Sequence, residues 1–115
     1  MKDLARRWAS RLVSIAKYRA KRRGIKFSLK PEDIVESIRE GLCEATGIPF
    51  VFEARPGGHP FAPSIDRVNP TKGYVRSNVQ VVLYSYNSAK GRSSPEDIIR
   101  LADCLRLKKH KYLEE

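Results

Sequence analysis

The chain has 115 residues, 41% of them hydrophobic and 31% charged, which allows one core and lies outside the composition of disordered chains. Its 23 Lys and Arg against 13 Asp and Glu give a formal charge of +10, so a polyanion is the expected partner, nucleic acid ahead of an anionic membrane surface. No apolar run approaches the roughly 18 residues of a membrane span, and Cys43 and Cys104 belong to no CxxC or Cys/His pattern of zinc spacing. The expectation is a soluble cytoplasmic protein without signal segment or structural zinc, its thiols buried or joined in a single disulfide.

Leu4, Trp8, Leu12, Ile15 and Ala16 recur at three- and four-residue steps, predicting an amphipathic helix from Leu4 to Arg23 that stops at Gly24, with Trp8 as a core anchor. After IKFSL, Pro31 followed by Glu32 and Asp33 starts a second helix. Ile34, Val35 and Ile38 are its apolar face and Gly41 its end. Residues 1–41 thus form a basic helical N-terminal part, and residues 1–30 carry 11 Lys and Arg opposed only by Asp3. That run is either a phosphate-facing surface or a solvated helix face.

Thr46-Gly47 and Pro56-Gly57-Gly58 are turn signals around IPFVFEA, which reads as one short strand within a loop. FAPSIDRV and NVQVVLY read as the strands of an antiparallel hairpin, joined by the long loop NPTKGYVRS. YSYNSAKG is helical in composition and ends at Gly91. Ser94-Pro95-Glu96-Asp97 is an N-cap with proline at N1 and an acid at N3. It opens a last helix, 94–107, whose expected buried face is Ile98, Leu101, Ala102 and Leu105, before a charged, frayed KKHKYLEE tail. The class expected is α+β in a single domain, 1–115.

Asp66 near the end of the first strand and Asn87 on the helix can bring a carboxylate and an amide oxygen to one point. Both are hard ligands suited to Mg²⁺ or Mn²⁺, with a substrate phosphate and waters completing the shell. Such an ion would polarise a phosphodiester and stabilise the leaving oxygen. Taken singly, Asp66 reads as a turn residue and Asn87 as an exposed helical one; their spacing with Asn78 favours the ligand reading.

Residues 64–91, SIDRVNPTKGYVRSNVQVVLYSYNSAKG, resemble the HNH nuclease motif of the ββα-metal fold. Asp66 matches the acid beside the family's catalytic His, Asn78 the middle Asn that ties the loop across the hairpin, Asn87 the final His or Asn, and Lys90 the lysine that follows it. The resemblance implies a ββα-metal core over 60–91 packed with N- and C-terminal helices, one Mg²⁺ or Mn²⁺ held by Asp66 and Asn87, and a metal-dependent endonuclease that nicks DNA. AKYRAKRRGIKFSL, LCEATGIPF and PFAPSIDR are similar to small HNH-type proteins of phages and prophages, implying a bacterial or phage-infected host cell.

Arg67 departs from the family pattern, because it occupies the place of the general-base His and a guanidinium is a poor proton acceptor at neutral pH. Three roles are open. Arg67 binds the scissile phosphate while another group or a metal-bound hydroxide supplies the nucleophile; His59 swings in as base across roughly 23 Å of extended chain; or the site has lost catalysis and kept binding. The resulting catalytic set is Asp66, Arg67, Asn78 and Asn87. The nucleic-acid contacts, DNA foremost, are Lys17, Arg19, Lys21, Arg22, Arg23, Lys26, Arg67, Lys72, Arg76 and Lys90. The alternative to a nuclease is a catalytically degenerate HNH-fold protein that binds nucleic acid or serves as a phage accessory. Tyr74, Tyr84 and Tyr86 read as packing residues, His59 and His110 as surface residues, and Gly73 as a positive-φ loop position.

Overall fold

Apolar side chains at helical spacing, punctuated by small alanines, give the first helix a face that can lie close against another element. In the computed structural model, which describes residues 3–53 and 55–111, helix α1 spans Leu4–Arg23 and buries Ala5, Trp8, Ala9, Leu12, Val13, Ala16 and Ala20. Trp8 anchors this face, with its ring edge-on to Phe52 at 5.7 Å between centroids. Asp3 caps the helix by accepting from the Ala5 N–H at 3.0 Å and pairs with Arg39. That guanidinium holds the Asp3 carboxyl below its ordinary pKa. Gly24 ends α1 at φ 67°, its N–H on the Ala20 carbonyl.

The second helical signal divides in two. Pro31–Asp33 forms a 3₁₀ turn, and helix α2, Val35–Glu40, follows and stops at Gly41 with φ 81°. Ile34, Val35 and Ile38 are buried as their spacing predicts.

Strand β1, Pro63–Arg67, pairs antiparallel with β2, Val79–Leu83, in a register that sets Asp66 opposite Gln80. Helix α3, Tyr84–Lys90, leaves β2 without a linker. Because α1 and α3 both pack on β1, Pro63, Ser64, Ile65 and Asp66 are all buried. The alternation of a one-faced strand is accordingly absent. Helix α4, Pro95–Leu107, has the expected cap: the Asp97 N–H donates to the Ser94 hydroxyl and the Ser94 N–H to the Asp97 carboxylate. Among the described residues, four helices and one two-stranded hairpin make the α+β class, and none of these helices is long and apolar enough to cross a membrane.

The fold corrects four sequence expectations. Residues 48–53 form no strand, only a bridge between Leu42 and Pro49. Pro49 has no N–H to offer, and the next two N–H groups go to different segments, Phe50 to Gly41 O and Val51 to Phe61 O; Ala54, the last residue of that stretch, lies outside the described residues. Gly73 is not a positive-φ glycine. It is required because a Cβ there would lie 2.5 Å from the Lys26 carbonyl oxygen, where Tyr74 bonds to both Lys26 and Ser28. Helix α4 buries nothing: Ile98 is half-buried while Leu101, Ala102 and Leu105 are exposed. Finally, Cys104 on that helix is exposed while Cys43 is buried, and both are free. Lys109–Lys111 forms a 3₁₀ turn; the His110 side chain and the remainder of the tail, 112–115, lie outside the described residues.

Candidate functional site

The hairpin and α3 meet through a buried ion pair. Lys90, last residue of α3 and 1% exposed, donates to Asp66 Oδ1 at 3.0 Å and to the Arg67 carbonyl at 3.0 Å. The other carboxylate oxygen accepts from Gln80 Nε2 at 3.0 Å, a partner delivered by the cross-strand register. A buried ammonium without such partners would be strongly destabilising. Burial, and then the Asp66 charge, also push the nearby Tyr86 phenol above its ordinary pKa.

Asn87 lies one helical turn before Lys90. Its Nδ2 donates to Ser64 Oγ at 2.8 Å and to the Ile65 carbonyl at 2.9 Å, a second tie from α3 to β1. The loop between the strands is held by two side chains. Arg67 Nη1 donates to the Pro70 and Lys72 carbonyls at 2.9 and 3.0 Å, and its guanidinium sits 5.1 Å from the centre of the Tyr74 ring. Asn78 spans the loop: its Oδ1 accepts from the Asn69 N–H at 3.0 Å, and its Nδ2 donates to the Asn69 and Gly73 carbonyls at 3.1 and 2.9 Å.

Ser64, Ile65, Asp66 and Asn87 floor an open cleft of about 1240 Å³, larger than the roughly 300–1,000 Å³ usual for small-molecule pockets. Arg19, Arg23 and Lys26 wall it from α1 and the segment beyond, Arg67 and Lys72 from the hairpin, and Arg92 from the end of α3. The single carboxylate among its lining residues is Asp66, already neutralised by Lys90. The cleft therefore presents six cations and no unpaired anion. Its field suits a chain of phosphates.

Of the contacts expected from sequence, Arg19, Arg23, Lys26, Arg67 and Lys72 converge on this cleft, whereas Lys17, Lys21, Arg22 and Arg76 are exposed but do not line it. Lys90 is corrected: at 1% exposure and bonded to Asp66 it cannot meet a phosphate. Arg92 was missed by sequence reasoning, although a cation directly after the Gly91 helix stop is a weak signal for one. Gln80 was missed too, because its role depends on register. Tyr74 is buried as expected, while Tyr84 stands 36% exposed and lines the cleft. His59 does not line it; His59 Nδ1 accepts from the Phe61 N–H at 3.0 Å.

A divalent ion on Asp66 would share one oxygen with an ammonium 3.0 Å away and the other with Gln80. Asn87 would offer it an amide, but among the described residues no three His, Cys, Asp or Glu side chains gather. As arranged, the Asp66 carboxylate is satisfied by Lys90 and Gln80, and a divalent ion there would have to displace the Lys90 ammonium. No protein-family profile, curated protein or solved structure matches the chain.

Proposed function

We propose that this protein binds the sugar–phosphate backbone of nucleic acid, DNA foremost, in the cleft over an HNH-like hairpin and helix. The observation that carries this reading is the convergence of Arg19, Arg23, Lys26, Arg67, Lys72 and Arg92 on a floor whose one carboxylate is already paired. Arg67 helps twice: it fixes the loop that presents Lys72, and it adds its own charge beside the path. Guanidinium groups match phosphate geometry and stay charged at all working pH values. Such contacts position a duplex without reading its sequence.

The test is fluorescence anisotropy with a labelled duplex, comparing the native chain with Arg19→Ala/Arg23→Ala and with Arg7→Ala/Arg11→Ala as a control on the same helix. The cleft pair should weaken binding at least tenfold at ~0.1 M salt and flatten the plot of log K against log salt by about one to two, since each lost phosphate contact removes roughly 0.9 from the slope. Equal losses from the control pair would refute the cleft as the binding path.

A second reading, HNH-type metal-dependent phosphodiester hydrolysis, is favoured by one set of observations. Asp66, Asn78 and Asn87 come from strand, loop end and helix in the family's order, and Asn78 bonds across the loop. Nicking of supercoiled plasmid by the native chain with Mg²⁺ or Mn²⁺, absent with chelator, would establish it. Plasmid left intact by a chain that binds duplex supports the binding-only reading.

A further inference from the structure

The apolar stripe of α4 is covered only at Ile98, which is half-buried: Leu101 and Leu105 are each 49% exposed, and no residue of the helix is buried. Ile98, Leu101, Ala102 and Leu105 nevertheless keep the three- and four-residue spacing of a packing seam. The helix also starts with a proline and a reciprocal cap. It is a well-formed helix with its contact face turned to solvent.

The charges beside that seam say what covers it. Acids stand at the N-terminal end, Glu96 and Asp97, and bases at the other, Arg106, Lys108 and Lys109. Asp97 and Lys108 lie on the same flank of the stripe, about three turns apart. If a second α4 lies antiparallel on the first, Asp97 of each helix meets Lys108 of the other while the Leu101 and Leu105 side chains interdigitate. The opposed helix dipoles agree with that direction. Parallel pairing would put the Asp97 and Lys108 of one helix across the seam from those of the other, where neither pair can form. The pattern is self-complementary in one orientation only.

We propose that α4 is a homodimerisation helix, pairing antiparallel with α4 of a second copy. This stands apart from the reading of the cleft. One three-turn seam covers less than the roughly 800 Å² per partner of a standard interface, so the dimer is weak, with a dissociation constant on the order of tens of micromolar. Two chains at +10 also repel, which places the measurement at roughly 0.15 M salt, where that repulsion is screened within about 8 Å.

The experiment is sedimentation equilibrium over a concentration series, with far-ultraviolet circular dichroism as a check on folding. The native chain should pass from monomer to dimer. Leu101→Glu/Leu105→Glu, a change at exposed positions, should remain monomeric with unchanged helix content. Lys108→Glu should weaken association about tenfold by facing Asp97 with a like charge, and adding Asp97→Lys should restore it, with circular dichroism showing that the helix outlasts the loss of the Asp97 bond to the Ser94 N–H. A native chain that stays monomeric throughout, a dimer indifferent to the paired glutamates, or a charge exchange that fails to restore association would each overturn the proposal.

Discussion

Lys90 and Asp66 are the residues on which the site turns. Each is nearly fully buried and each satisfies the other, so removing one partner strands a charge in the interior. Lys90→Met or Asp66→Asn should each lower folding stability by about 3–5 kcal/mol. The double variant should recover much of that loss, which urea denaturation of the four proteins would show as a coupling energy. One consequence reaches any activity assay: inactivity of Asp66→Ala reports on folding as much as on chemistry, and a melting curve has to accompany it.

Two neighbouring positions yield further expectations. Gly73→Ala drives a methyl group to 2.5 Å from the Lys26 carbonyl, and should cost about 1–3 kcal/mol by overpacking, read from the same denaturation curves. Tyr86 has its phenol pKa raised, first by burial and then by Asp66, so the fold favours its neutral form. The associated stability is complete below the ordinary tyrosine pKa of about 10 and is lost as pH rises through the higher folded-state value. Tyr86→Phe should abolish that share of the alkaline decline, measured as stability against pH from 9 to 12 relative to the native chain.

At the scale of elements, the boundaries of helices were the most legible feature of the sequence. Ser94 as a cap, and Gly24, Gly41 and Gly91 as stops, act through bonds or φ angles within a few residues. The hairpin was legible for a similar reason. What covers an element was not. The α4 stripe has the same periodicity whether it faces a core or solvent, and IPFVFEA has strand composition although its N–H groups go to separate segments. The site divides along the same line: the spacing of Asp66, Asn78 and Asn87 was visible, whereas the Asp66–Lys90 bond and the Gln80 contact required the register and the helix placement.

The exposure of α4 has a testable counterpart in local stability. Ser94→Ala removes the hydroxyl that accepts the Asp97 N–H, a loss of about 1 kcal/mol for a typical N-cap. Since α4 buries no residue, the damage should stay local. Amide exchange in α4 should quicken about fivefold while α1 and the hairpin keep their protection.

For the whole molecule, the decisive quantity is where the positive charge is concentrated. A formal +10 spread evenly would give only weak attraction to any polyanion, but α1, the hairpin loop and the end of α3 bring six cations to one cleft. Two side-chain frameworks hold that geometry: the Arg67 and Asn78 bonds fix the loop, and the Lys90 and Asn87 bonds fix α3 to β1. Both frameworks are completed within the protein, so the cleft proposed for nucleic acid is shaped by the chain's own bonds. Such preorganisation lowers the ordering cost of binding.

Nucleic acid seated in this cleft would register in a backbone amide shift map during titration with a short DNA duplex. The largest shifts should fall on Arg23–Lys26, Asp66–Gly73 and Asn87–Arg92 and grow together to saturation. Shifts confined to α4 or to the first two turns of α1, or no shifts at ~0.05 M salt where phosphate attraction is strong, would contradict binding in the cleft.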